Sequence, residues 1–201
     1  MNLPYKACYR CHSLIHSFIF KPFQPLLLRL HGVEGADGCR LFGLPVIMRH
    51  PESKIIIGKN WTARSSFSSN SIGSIQPVLL STTSAKSLLR IGNDVGMSGC
   101  TVSCQENIEI EDRVMIGSGV LLLDNDSHSL DPEERFSEIP NIRSLPIHIG
   151  RDAFIGARAI LLKGTRIGAR SIIQAGSVVS GNFPDDCIIG GNPAAILSRK
   201  Q

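Results

Sequence analysis

Ile149-Gly150-Arg151-Asp152-Ala153-Phe154-Ile155-Gly156-Ala157-Arg158-Ala159-Ile160-Leu161 opens a stretch in which an aliphatic residue returns at every sixth position: Ile149, Ile155, Leu161, Ile167 and Ile173, with Val179 keeping the beat. Glycine follows at Gly150, Gly156 and Gly168, and the position four beyond each aliphatic is small: Ala153, Ala159, Thr165, Ser171 and Ser177. Such a period matches neither a helix nor a plain strand. It signals a repeat in which each hexad makes one short strand and one bend. Three such strands close a triangular coil. The aliphatic and the small residue fill its interior, while Gly, Asp, Asn and Arg occupy the bends. Stacked coils make a parallel β-helix.

An earlier block carries the same pattern through Ile91, Met97, Cys104, Ile110, Ile116 and Leu122, accompanied by Val95, Thr101, Ile108, Val114 and Val120 at the small or branched position. The one longer step, from Met97 to Cys104, predicts a bulged residue. Ile57, Ala63 and Ser69 suggest an irregular first coil, because Ile57-Gly58-Lys59-Asn60 reads like a repeat and the Ser-rich residues after it do not. Gly32 to Pro51 reads as a connection with one strand, Leu44 to Met48.

Between the two blocks the period stops. The 25 residues from Asp124 to His148 hold no hexad, so they should leave the helix at one corner, where function tends to sit. The excursion opens with Asp124-Asn125-Asp126-Ser127-His128-Ser129-Leu130-Asp131-Pro132-Glu133-Glu134-Arg135. This string, the repeat phase and the closing Gly190-Gly191-Asn192-Pro193-Ala194 together resemble hexapeptide-repeat sugar O-acetyltransferases of the maltose and galactoside type. The resemblance is nearer still to exopolysaccharide and capsule acetyltransferases, and it covers roughly residues 75 to 198.

The resemblance implies an all-β fold: a left-handed parallel β-helix with an N-terminal helical segment and a protruding catalytic loop. The cap or helical segment is placed at 1–50 and the acyltransferase domain at 51–198, with the excursion at 124–148. The implied reaction moves an acetyl group from acetyl-CoA to a sugar hydroxyl of a polysaccharide or glycan precursor. An amino sugar accepting at nitrogen is the alternative, since the same base serves. An alcohol is barely ionised near neutral pH, so the transfer needs a base; histidine's pKa leaves neutral imidazole available. His128 matches the family's catalytic histidine. Asp126, Asp124 and Glu134 are carboxylates that can hold its other nitrogen, as can a backbone carbonyl. No Gly-x-Ser-x-Gly elbow appears and no cysteine accompanies a histidine in the loop, so direct transfer without an acyl-enzyme is expected.

By the same resemblance the donor lies along Phe154, Ala157, Ala175, Ser180, Gly181, Ala195 and Arg199, with the Ala157 N–H meeting the oxyanion. A Lys usual at the position of Gly181 and an Arg usual at that of Ala195 are absent, so phosphate contacts fall to Arg199, Lys200 or Arg166. Asp94, Ser98, Asp124 and Arg143 are the expected acceptor contacts. The family also implies a homotrimer with active sites between subunits.

Composition agrees: 42% hydrophobic residues suffice for a continuous core, and only 5% are aromatic, which suits a column of stacked aliphatics and excludes an aromatic nucleic-acid platform. The net charge of +4 is spread out, with Lys163, Arg158, Arg166 and Arg170 in the last coils. No metal is expected: a zinc enzyme of the γ-type carbonic anhydrase kind needs three histidines, and none follows His148. A non-catalytic scaffold would not need His128. Cys8 and Cys11 form a C-x2-C pair without a second pair, while Cys39, Cys100, Cys104 and Cys187 are scattered like buried small hydrophobes. The start lacks the features of a signal peptide, which places the protein in a reducing cytoplasm. Leu14, Ile15, Phe18 and Ile19 recur at helical spacing and Leu26, Leu27, Leu28 and Leu30 resume after Pro22 and Pro25. Residues 6 to 30 thus read either as a helix capping the first coil, the favoured reading, or as an interfacial helix with weak contact to the inner membrane face.

Overall fold

The computed structural model describes residues 23–137 and 141–199. Six complete coils each contribute one strand to each of three parallel sheets. The first coil is β1 (Val33–Gly35), β2 (Arg40–Phe42) and β3 (Val46–Arg49); the second is β4 (Lys54–Ile57), β5 (Thr62–Arg64) and β6 (Leu79–Thr82). The third comprises β7 (Leu88–Ile91), β8 (Gly96–Ser98) and β9 (Thr101–Cys104), and the fourth β10 (Asn107–Ile110), β11 (Met115–Ile116) and β12 (Leu121–Leu123). After the excursion come β13 (Ile147–Ile149), β14 (Phe154–Ile155) and β15 (Ile160–Leu161), then β16 (Arg166–Ile167), β17 (Ile172–Ile173) and β18 (Val178–Val179). The chain ends with β19 (Asn182–Phe183), β20 (Cys187–Gly191) and β21 (Ala194–Arg199), which turns back antiparallel on β20. The fold is a left-handed parallel β-helix.

The hexad aliphatics form three vertical columns. In the first sheet Ile57, Ile91, Ile110, Ile149 and Ile167 lie in register. In the second, Ala63, Met97, Ile116, Ile155 and Ile173 do so, and in the third, Leu80, Val102, Leu122, Leu161 and Val179. All are at most 3% exposed; each large aliphatic so buried contributes about 1.5–3 kcal/mol against the entropy of ordering it. The coils stack at backbone contact: a Cβ on Gly156 would come within 2.5 Å of the Ala175 nitrogen.

Three expectations are corrected. The third-sheet column holds Val102, not Cys104, and the buried small position before it is Cys100, while Thr101 faces outward half-buried. The step from Met97 is therefore short and the extra length lies after Val102, because β9 runs two residues past the column before the chain turns. Ser69 is buried but lies in a 3-10 turn (Phe67–Ser69), and Leu80 fills its expected place. A second excursion, residues 65–78, separates Ala63 from that position. The segment Gly32 to Pro51 is not a connection with one strand but a whole coil: its column positions Gly35, Leu41 and Ile47 keep the spacing of the repeat, but a glycine in place of the first aliphatic hides it, and the strands pair in register with the second coil.

Helix α1 (Gln24–Leu30) packs beside that coil. Leu28 is 1% exposed, and the Gln24 side chain both accepts from the Leu41 N–H and donates to the Leu41 carbonyl. Residues 6–22 of the expected helical segment, and the Cys8–Cys11 pair, lie outside the described residues. No helix among the described residues is long and apolar enough to cross a membrane.

Candidate active site

The excursion leaves the corner between the third and first sheets. Its neck is tied by backbone bonds from Asp126 N–H to the Arg143 carbonyl and from Leu145 N–H to the Asp124 carbonyl. Asn125 pairs with Ser144 in an isolated antiparallel bridge. His128 stands exposed beyond the neck, its N–H donating to the Asp126 carbonyl at 2.7 Å.

The three carboxylates expected beside His128 are engaged elsewhere. Asp124 is fully buried and accepts the backbone N–H groups of Gln105, Glu106 and Asn107, so it caps that turn. Asp126 pairs with Lys163, and Glu134 accepts the Ser129 hydroxyl at 2.9 Å. Sequence proximity brought them to one loop, but backbone N–H groups hold Asp124, a cation of the next coil holds Asp126 and a hydroxyl of the same loop holds Glu134. Arg143 is exposed at the neck. Asp94 accepts from the Asn60 side chain at another corner, and Ser98 lies at the end of β8.

The donor residues divide between two edges of the third sheet. Ala157 and Ala175 sit at the corner between the second and third sheets and line a groove of about 440 Å³ with Ser118, Arg158 and Gly176. Ser180 and Gly181 lie on the opposite corner, the one that bears His128. Phe154, 47% exposed, faces out from the second sheet between Met115 and Ile172, and Ala195 and Arg199 are exposed on β21. Arg166 lies on the first sheet beside His148, away from the groove. Of the other basic residues, Arg170 is held by Asp186 and Lys163 by Asp126; Lys200 lies outside the described residues.

One asymmetry marks the groove. At the corner between the first and second sheets, side chains of adjoining coils cap four of the turn N–H groups, though not that of Asp112: Asn93 Oδ1 accepts from Lys59, Asp112 Oδ1 from Asn93, Glu111 Oε2 from Arg151 and Asp185 Oδ1 from Ala169. The equivalent N–H groups of Ser118, Ala157 and Ala175 have no acceptor among the described residues. A column of open donors beside an apolar groove suits a ligand that brings carbonyl oxygens.

Sequence reasoning missed the second wall of this groove. Residues 65–78 fold back along the corner, and the Ser118 hydroxyl donates to the Gly73 carbonyl at 3.0 Å. Ile72 and Ile75, 66% and 71% exposed, stand at the groove. Two isoleucines, with Phe67, in a stretch from Ser65 to Ile75 otherwise made of Ser, Gly and Asn were the available signal.

His148, where the repeat resumes, bonds Glu111 Oε1 through Nε2 at 3.0 Å. Among the described residues no three His, Cys, Asp or Glu side chains gather as a metal site. Cys39, Cys100, Cys104 and Cys187 are buried free thiols. Burial pushes the Cys100 thiol up to about 12, and burial with the neighbouring Asp124 charge pushes Cys104 up as well.

Residues 146–181 match the family model described as bacterial transferase hexapeptide, six repeats. A probable acetyltransferase of Mycobacterium tuberculosis is 32% identical over 56% of this chain and 38% of its own length. The chain spans less than two fifths of the curated relatives it matches. Among solved structures, the N-acyltransferase AntD from Bacillus cereus, in complex with dTDP and 3-hydroxybutyryl-CoA, is 18% identical over 89% of both chains with a TM-score of 0.66. A maltose O-acetyltransferase from Clostridium difficile is 21% identical over 92% of this chain and 78% of that one, with a TM-score of 0.56. Identities this low speak for the fold alone. The periodic core and the stacked corners give this chain the left-handed β-helix fold, and residues 146–181 carry the repeats that match the hexapeptide model.

Proposed function

We propose that this protein is an acyltransferase that moves an acetyl group from acetyl-CoA to a sugar hydroxyl of a glycan or glycan precursor. The observation that carries the reading is the column of uncapped N–H groups at Ser118, Ala157 and Ala175 beside the apolar groove. Pantetheine is a narrow arm with two amides, so its carbonyls suit those donors and its methylenes suit the walls. Neutral His128 takes the proton of the acceptor hydroxyl as its oxygen attacks the thioester carbon. The tetrahedral oxyanion is met by a backbone N–H, with that of Ala157 assigned to the task. The C–S bond then breaks, and the CoA thiolate takes the proton back from the imidazolium.

His128 and the groove lie on opposite edges of the third sheet, so one chain cannot bring both to one substrate. A homotrimer with each site shared between two copies resolves this. Its interface has a source in the outward faces: Met115, Phe154 and Ile172 on the second sheet and Leu121, Ile160 and Val178 on the third are apolar, whereas the first sheet presents Arg90, Glu109, His148 and Arg166. Cyclic symmetry buries such strips without leaving an open end.

The likeness to an N-acyltransferase fold supports the second reading, transfer to an amino sugar, since the same base and groove serve. Turnover of acetyl-CoA across free sugars, amino sugars and nucleotide sugars separates the two. An ester product is released by mild alkali and an amide survives it. No turnover with any of them, and no rise in melting temperature with CoA, would remove the reading.

A further inference from the structure

We infer that Lys163 is a positioning residue for His128, acting from the fifth coil through Asp126; this rests on the reading of His128 as the base. Lys163 follows β15 at the corner of the coil after the one the excursion leaves, and its ammonium pairs with Asp126 Oδ1. The two side chains are only 25% and 18% exposed. Asp126 is also the junction of the neck. Its N–H donates to the Arg143 carbonyl on the returning limb at 3.1 Å, and its carbonyl accepts the His128 N–H at 2.7 Å. The next residue of the same corner repeats the tether through the backbone: Gly164, at φ 76, donates its N–H to the Leu145 carbonyl.

The energetics make the lysine the decisive part. Asp126 Oδ2 is buried with no partner among the described residues, so Lys163 is the one cation paired with this carboxylate there. A charge stranded in a largely buried neck is costly, and opening the neck to water relieves it. His128 would move with it, because no described side chain bonds its ring and its direction is set by the backbone at 126–128. Ser127 lies there at φ 62, with its N–H held by Asn125 Oδ1. A base displaced by an ångström loses on the order of 100-fold in rate.

The test uses the full chain with Lys163→Met, Lys163→Arg and the double variant Lys163→Met/Asp126→Asn. Amide hydrogen exchange is followed across the described residues of 124–146, beside acetyl-CoA turnover with the free sugar, amino sugar or nucleotide sugar that the wild-type chain acetylates fastest. Lys163→Met should speed exchange at residues 126–128 at least about 10-fold while Ile155 and Ile173 stay protected. It should lower kcat roughly 10- to 100-fold with KM for acetyl-CoA nearly unchanged. Lys163→Arg should retain both properties, and the double variant, which leaves no unpaired charge, should recover neck protection. In a His128→Ala background Lys163→Met should cost no further rate. Unchanged exchange at the neck, exchange rising equally in the coils, or a full additional loss in the His128→Ala background each overturns the inference. A loosened neck with a fully active His128→Ala enzyme would overturn the base and leave the tether standing.

Discussion

Asp124 Oδ1 accepts the backbone N–H of Gln105 at 2.7 Å, and its second oxygen accepts from Glu106 and Asn107. One side chain thus closes the turn that leads from β9 to β10 in the neighbouring coil. Asp124→Ala would leave three donors without that acceptor in a buried corner, and the expected loss is about 2–4 kcal/mol. Asp124→Asn keeps one accepting oxygen and should lose less. Urea unfolding midpoints of the two variants decide the order.

If His128 is the base, His128→Ala lowers kcat by roughly 100- to 10,000-fold and leaves CoA affinity and melting temperature nearly unchanged, since the side chain is exposed and adds nothing to the core. His148→Ala is the control. It removes the 3.0 Å bond to Glu111 between the fourth and fifth coils, so it should lower melting temperature more than rate. Equal turnover by the two variants would sink the assignment.

The raised Cys100 and Cys104 thiols predict chemical silence. The thiolate is the reactive species, and at pH 8 neither group supplies it while the coils are intact. Alkylation mapped by mass spectrometry should leave both unmodified in the native protein and modify both in denaturant. Native labelling at a rate like that of a free thiol would contradict the burial.

Arg113 and Asp152 join the fourth and fifth coils by two bonds of 2.6 Å, and the Arg113 guanidinium holds the Asp152 carboxyl below its ordinary value. With the folded pKa lowered, the contribution is complete above the ordinary carboxylate value, about 4, and is lost as pH falls through the lowered folded value. The pair is solvent-exposed, so the effect is small and salt-sensitive. Arg113→Met should melt slightly below wild type at pH 7 in low salt, and the gap should close on acidification below about pH 4. A gap that widens in acid would reverse the sign.

The hexad spacing from Ile149 to Val179 determined the architecture on its own, because a period of six places the same residue inward on every strand and no other regular structure does so. The excursion after Leu123 was legible for the same reason, as the point where that constraint lapses. The first coil and the exact phase at Val102 were not. There, pairing with an adjacent coil imposes the register on strands whose own residues do not announce it. The partners of Asp124 and Asp126 were likewise decided in three dimensions, since a carboxylate bonds the nearest donor in space, and Lys163 and the Gln105–Asn107 turn come from other coils. The groove belongs wholly to the tertiary structure. Ser118, Ala157 and Ala175 look like any turn residues in sequence, and only the stacking of their coils shows that these three N–H groups stay open while side chains cap four of those at the corner between the first and second sheets.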